Sequence, residues 1–118
     1  MRRIVILFAA AVTGLALASS AATMPAATKL KGTVGPGFTI TLKKGTAKVK
    51  TLKAGKYTIA ISDKSDIHNF HLKGPGLNKM TSVGFKGSKT WNVTLKKGTY
   101  RYVCDPHASQ MKGSFKVT

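Results

Sequence analysis

The chain has 118 residues and carries 20 Lys and Arg against only three Asp and Glu, which gives a formal net charge of +17. This length holds one small domain and leaves no room for a second domain or for several membrane spans. The apolar fraction of 42% is that of a globular protein and argues against a disordered polycation.

Residues 1–22 have the pattern of a secretory signal peptide. Arg2 and Arg3 precede an apolar run over residues 4–18, and small residues follow it. An uncleaved single-span anchor is the alternative, but the run is short for a span and its second half inserts weakly. We therefore expect cleavage that leaves about 96 residues with a charge of about +15. The expected location is outside the cytoplasm: secreted, periplasmic or associated with the cell envelope.

Residues 23–32 predict a flexible lead-in, and residues 33–118 predict a single all-β domain. Short runs rich in Thr, Val, Ile and aromatic residues alternate with period two between glycine-containing turns. No helical period of 3.6 residues occurs after the signal peptide. The predicted strands, roughly seven to eight in number, include residues 30–34, 38–42, 48–52, 57–61, 67–72, 91–95, 100–104 and 115–117.

A short repeat supports this fold class. The sequence T-L-K-A-G-K-Y over residues 51–57 matches T-L-K-K-G-T-Y over residues 94–100, and residues 41–45 are a truncated copy. The spacing L-x-x-G-x-Y is similar to the tyrosine corner of Greek-key sandwiches, in which the tyrosine hydroxyl bonds to nearby backbone. We predict a two-sheet Greek-key β-sandwich and give the lysines of these turns no function of their own.

The lysine excess is compatible with more than one kind of surface. A solvated cationic face keeps a small envelope protein soluble. Attraction to an anionic envelope surface or to an acidic protein partner would raise association rates. Nucleic acid is not expected as a partner, because the positive charges are dispersed, Arg is scarce and no RNA-binding aromatic motif occurs.

Two segments, residues 66–72 and 102–113, hold all three histidines and the only cysteine. Structural cysteines of exported proteins usually occur in pairs. The single Cys104 therefore requires another role, either deep burial or metal coordination.

Strand alternation predicts the directions of these side chains. Alternate residues of a strand share a face, so His68 would point inward with Phe70, and His71 would point outward to the surface. By the same argument Cys104 would point inward at the end of a strand, because Arg101 marks the opposite face as solvent-facing.

The ligand chemistry of the two segments favours copper. The Cys104 thiolate, the His68 and His107 imidazoles and a weak Met111 thioether suit a trigonal His₂Cys copper site with a long axial Met. Structural zinc sites take more Cys or His and no Met. Each residue alone would be structural, such as a buried small cysteine, but together at this spacing they predict one copper ion.

These segments resemble the type I (blue) copper proteins, the cupredoxins, such as plastocyanin, azurin and amicyanin. H-N-F-x-L from His68 is similar to the azurin-like run, and Y-x-C-x-P-H ending at His107 is similar to the plastocyanin and amicyanin loop. The resemblance implies that His68, Cys104 and His107 are equatorial ligands and that Met111 is axial. It also implies that Asn69 bonds the thiolate sulfur through its backbone N–H and ties the ligand segments together through its side chain.

Two function classes follow from the resemblance. The first is a carrier of one electron that cycles between Cu(I) and Cu(II), and the alternative is a copper-binding or copper-delivery protein without an electron-transfer role. The scarcity of Met and His outside the two segments favours the carrier. No catalytic residues are predicted, because neither an orienting group nor an oxyanion loop accompanies Cys104 and His107; the protein is therefore predicted not to be an enzyme. We expect a monomer with a redox partner protein; an acidic partner would suit the lysine excess.

Overall fold

The computed structural model describes residues 13–14 and 26–118. The predicted signal peptide over residues 1–22 and its cleavage site thus lie, apart from Thr13 and Gly14, outside the described residues. In the described part of the chain, no helix is both long and apolar enough to cross a membrane.

The described chain forms a sandwich of two five-stranded sheets, which confirms the all-β prediction. One sheet has the strand order β3-β2-β1-β5-β8, and the other has the order β4-β10-β9-β6-β7. The strands are β1 (Thr28–Val34), β2 (Ile40–Lys44), β3 (Ala47–Lys48), β4 (Thr51–Leu52), β5 (Gly55–Asp63), β6 (His71–Gly74), β7 (Leu77–Met80), β8 (Gly87–Leu95), β9 (Gly98–Val103) and β10 (Lys112–Val117).

Some strand boundaries differ from the prediction. β1 begins at Thr28, so residues 28–32 belong to the first sheet and not to the lead-in. The predicted strand over residues 67–72 begins only at His71, because the Phe70 amide donates to the Thr81 hydroxyl at 2.9 Å and makes no ladder bond. β7 was not predicted, since three of its four residues are exposed and give no alternating pattern.

The core lies between the two sheets and is rich in aromatic rings. Tyr102 stacks on Phe70 with ring centroids 5.7 Å apart, and Tyr100 stacks on Phe115 at 5.4 Å. The Tyr102 ring occupies the space that a β-carbon would take at Gly113, its partner across β9 and β10. The Tyr100–Phe115 pair joins facing residues of β9 and β10, and the Tyr102–Phe70 pair packs β9 against the loop of residues 64–70.

The strand directions divide the connecting loops between two ends of the sandwich. β1 and β5 run parallel, and β2 and β8 run antiparallel to them. Four loops therefore meet at one end, which we call the upper end: residues 35–39, 64–70, 81–86 and 104–111. The shorter turns 45–46, 53–54, 75–76 and 96–97 form the lower end.

Candidate metal centre

Three ligand atoms from two of the upper loops converge on one point. The Nδ1 atoms of His68 and His107 are 3.0 Å apart. The Cys104 sulfur lies 3.7 Å from Nδ1 of His68 and 3.5 Å from Nδ1 of His107. A point equidistant from the three atoms lies about 2.0 Å from each, which is the length of a metal–imidazole bond. The fold therefore brings three of the four predicted donors, those of His68, Cys104 and His107, within coordination distance of one point.

The fourth predicted donor, Met111, is held in the same closed loop. The Cys104 amide donates to the Met111 carbonyl at 3.0 Å, and the Met111 amide donates to the His107 carbonyl at 2.8 Å. Pro106 lies in the first turn of a short 3-10 helix over Asp105–His107, where its fixed φ favours the turn. Met111 and Cys104 are both fully buried. Backbone hydrogen bonds thus fix Cys104, His107 and Met111 relative to one another.

Asn69 connects the two ligand loops, as the resemblance implied. Its amide nitrogen donates to the Asp105 carboxylate at 2.7 Å and to the Thr81 carbonyl at 3.2 Å. Its amide oxygen accepts the Asp105 backbone N–H at 2.7 Å. The predicted bond from the Asn69 backbone to the cysteine sulfur stays a prediction. The side chain joins the residue after His68 to the residue after Cys104, so it sets the distance between these ligands.

Comparison with known proteins identifies the family. The family model described as copper binding proteins, plastocyanin/azurin family, matches residues 33–118. The chain belongs to this family. Reduced rusticyanin is a similar solved structure, with 21% identity, a TM-score of 0.58, and coverage of 76% of this chain and 78% of that one.

Two further solved structures share the cupredoxin fold. Auracyanin from the photosynthetic bacterium Roseiflexus castenholzii has 22% identity, a TM-score of 0.55, and coverage of 80% of this chain and 99% of that one. A heme-copper terminal oxidase has 21% identity, a TM-score of 0.54, and coverage of 76% of this chain and 63% of that one. No match was found among the curated proteins.

The cofactor of this cupredoxin is one copper ion. A thiolate and two imidazoles within bonding distance of one point, with a buried thioether in the same loop, are the donors of a type I copper site. Family and donor set are those of the blue copper, electron-carrying kind.

His71 is placed differently from the prediction. The predicted outward, solvent-facing position is wrong: His71 is 7% exposed. Its Nδ1 lies 2.8 Å from the Asp105 carboxylate, and its Nε2 lies 2.6 Å from the Asn78 side-chain oxygen. Alternation failed because residues 68–70 are not a strand. His71 therefore supports the copper loop from beneath the surface through Asp105.

Asp105 is a supporting residue that sequence reasoning did not assign to the site. Burial alone would raise the pKa of this carboxyl, but hydrogen bonds from His71 and Asn69 and the charge of His71 outweigh that effect. They hold the pKa of Asp105 below its ordinary value. Its position directly after Cys104 was the available signal. An ionised Asp105 accepts from Asn69 of the other ligand loop and from His71 at the start of β6, so it strengthens the connection made by Asn69.

The second ring nitrogen of His68 is buried and without a partner among the described residues. The same holds for one carboxylate oxygen of Asp63, whose other oxygen accepts the Ser65 amide at 3.0 Å. Burial raises the pKa of Asp63, and the Ser65 hydrogen bond and the charge of His68 oppose that rise. A β-carbon at Gly35, where φ is +70°, would lie 3.2 Å from the His68 ring. Close packing by Gly35 therefore helps to fix that ring.

Phe38 covers the two histidine rings from outside. Its ring contacts His107 edge-on at 4.9 Å between centroids and His68 at 5.4 Å. The Phe38 side chain is nevertheless 56% exposed. Sequence reasoning placed Phe38 in a strand and had no signal for this contact, because it depends on the conformation of the 35–39 loop. Phe38 keeps water from one side of the imidazoles and offers an apolar surface above them.

Proposed function

We propose that the protein is an exported carrier that passes one electron at a time between redox partners. His68, Cys104, His107 and Met111 would hold the copper ion. The observation that carries this proposal is the set of three donors at coordination distance in a buried frame of hydrogen bonds. Copper bound there would supply a Cu(I)/Cu(II) couple.

The frame around the ligands suits electron transfer because it resists rearrangement. Loop 104–111 is closed by its own backbone bonds, and the Asn69 side chain connects it to the loop of His68. Cysteine and methionine sulfur hold Cu(I), and the imidazoles suit both oxidation states. Ligands that stay in place let the oxidation state change with little movement of the protein.

His107 is the ligand best placed to exchange electrons with a partner. It is partly exposed, whereas His68, Cys104 and Met111 are fully buried. The exposed, apolar Phe38 side chain contacts the His107 ring at this edge. We infer that a redox partner meets the upper end at the His107 ring edge.

Copper delivery is the less favoured function. A delivery site has to open to release its ion, and it usually offers exposed Met and His ligands. Here, three of the four proposed ligands are fully buried, which supports retention of the ion. The redox partner with acidic character stays a prediction; most lysines lie away from the upper loops, so net charge alone gives that idea little support.

The test is a visible absorption spectrum of the purified protein titrated with Cu(II). We expect an intense thiolate-to-copper band that saturates at one equivalent and disappears in Cys104→Ser. Absence of the band in a folded wild-type protein would refute the ligand assignment. Met111→Leu should keep the band but shift the reduction potential, because the axial ligand tunes the potential of such sites. Met80→Leu is the matched control, since Met80 is exposed on β7, and its potential should be unchanged.

Redox cycling separates the two function classes. A carrier should pass through repeated reduction and reoxidation without loss of copper, in the presence of a Cu(I) chelator. Transfer of the copper to the chelator during the first reduction would favour delivery and would contradict electron carriage.

A further inference from the structure

The three copies of the lysine turn lie together at the lower end of the sandwich. Copies 51–57 and 94–100 are adjacent, because Gly55 is the β5 partner of Leu95 on β8. Copy 41–45 lies at the end of β2. Because β2 runs antiparallel to β1, it ends at the lower end, where β1 begins. Each copy thus ends a strand or joins two strands on the side opposite the copper ligands.

Two tyrosine corners fix the backbone of these turns. The Tyr57 hydroxyl donates to the Lys53 carbonyl at 2.6 Å. The Tyr100 hydroxyl accepts the Lys96 amide at 2.9 Å and donates to the Pro75 carbonyl at 2.8 Å. The predicted corner geometry is therefore confirmed at both complete copies. Fixed backbones with exposed lysine side chains form a surface of defined position.

We call this surface the lysine pole, which consists of Lys43, Lys44, Lys53, Lys56, Lys96 and Lys97. All six are exposed. Among the described residues, no ion pair involves any of them. The only acidic residues of the chain are Asp63, Asp66 and Asp105, and all three lie at the upper end. The pole is therefore a cationic surface without neutralising carboxylates.

The upper loops differ sharply in charge from the lysine pole. They contain two lysines, Lys64 and Lys86, and two aspartates, Asp66 and Asp105. Two lysines of adjoining strands also lie at this end, since Lys112 begins β10 directly after Met111 and the Lys89 Nζ lies 4.5 Å from the centre of the Phe85 ring. The three aspartates nearly balance these four lysines, so the molecule has a strongly cationic lower end and a nearly neutral copper end.

The lysine pole lacks the side chains that anchor a protein partner. The large apolar side chains described as exposed are Phe38, Ile67, Met80 and Val83, and none belongs to the pole or to its turns. Protein interfaces draw most of their binding energy from a few buried aromatic or Arg anchors. Anionic lipid headgroups need no such anchors, because they move laterally to meet dispersed lysines.

The N-terminal chain enters the fold at this same end. Thr28 opens β1 opposite Tyr57, and residues 26–28 line one shallow depression with Lys53 and Lys56. In the sequence, only residues 19–27 separate β1 from the apolar run 4–18. Nine residues span at most about 30 Å. Before its cleavage, a leader directed to a membrane therefore brings the lysine pole close to that membrane.

We propose that the lysine pole docks on the surface of an anionic lipid bilayer and that the copper end faces away from it. Each lysine close to an anionic leaflet strengthens binding about fivefold. Six lysines at one end are sufficient for reversible adsorption. The His107 edge then stays open to soluble partners while the protein remains at the membrane.

The test compares two double variants that lose the same charge. The whole sequence is expressed, and the exported protein is purified and loaded with copper. Its binding is measured by sedimentation with phosphatidylcholine vesicles that contain about 30% phosphatidylglycerol. Lys53→Gln with Lys97→Gln should weaken binding about 25-fold. The matched control, Lys64→Gln with Lys86→Gln at the upper end, should weaken it less than about threefold. An unchanged visible spectrum shows that each variant is folded.

Acetylation of lysines on vesicle-bound protein gives the orientation. We expect protection of Lys53, Lys56, Lys96 and Lys97 and continued modification of Lys64 and Lys86, read by mass spectrometry. Equal losses of binding in both double variants, or binding to neutral vesicles as strong as to anionic ones, would overturn the proposal. The proposal would also be overturned if the pole variant bound vesicles as strongly as wild type but was no longer retained on a column of an acidic protein. The pole would then be a surface that docks a protein.

Discussion

Replacement of Asn69 by Ala should loosen the connection between the two ligand loops. The side chain makes three hydrogen bonds, at 2.7, 2.7 and 3.2 Å, to Asp105 and Thr81. Thr81 is 1% exposed, and a buried carbonyl left without its partner costs about 1–3 kcal/mol. The Asp105 groups can form hydrogen bonds with water instead, so their lost bonds add less to the cost in unfolding free energy. We expect a loss of about 2–3 kcal/mol in the free energy of unfolding of the copper-free protein, or roughly 10–20 °C in Tm.

The assay is urea and thermal unfolding of the copper-free protein, with copper affinity measured by chelator competition. Asn92→Ala is the control, because Asn92 is exposed and accepts a single side-chain bond from Thr58 at 3.1 Å; its cost should stay below about 0.5 kcal/mol. Copper affinity should fall by about 10–100-fold in Asn69→Ala. Equal stability of the two variants would refute the argument that Asn69 joins the loops.

Three further perturbations test the surroundings of the site. Phe38→Ala should admit water to both imidazoles, favour the more highly charged Cu(II) and lower the reduction potential; an equal change in Val83→Ala, measured by voltammetry, would contradict this. Burial raises the pKa of Asp63 above its unfolded value, so the stability of the copper-free protein should fall as pH rises through that raised pKa. Asp63→Asn should flatten this slope in urea titrations between about pH 4 and pH 7, and identical slopes would exclude Asp63 as its source. Gly113→Ala should displace the Tyr102 ring and cost about 1–3 kcal/mol in unfolding free energy; a variant as stable as wild type would show that the ring moves freely.

The strands and the ligands were predictable from the sequence for different reasons. Half-buried strands show alternation locally, as β5 does over Gly55–Asp63. The ligand residues are chemically distinctive, and three of them, Cys104, His107 and Met111, follow one another in a single loop. The position of His71 was not predictable, because it depends on bonds to Asp105 and Asn78, which are distant in sequence. The Phe38 contact likewise depends on how one loop folds over another.

The separation of charge from the copper end has a kinetic consequence. β5 has nine residues, so the two ends of the sandwich are about 30 Å apart. At 0.1 M ionic strength the screening length is about 10 Å, and the lysine pole is hardly felt at the His107 edge. The oxidation rate of the reduced protein by hexacyanoferrate(III) should therefore change little with added salt above about 0.1 M. A steep fall, as the same excess of positive charge spread evenly over the surface would produce, would contradict the separation, because the oxidant would then be responding to lysines close to the copper ligands.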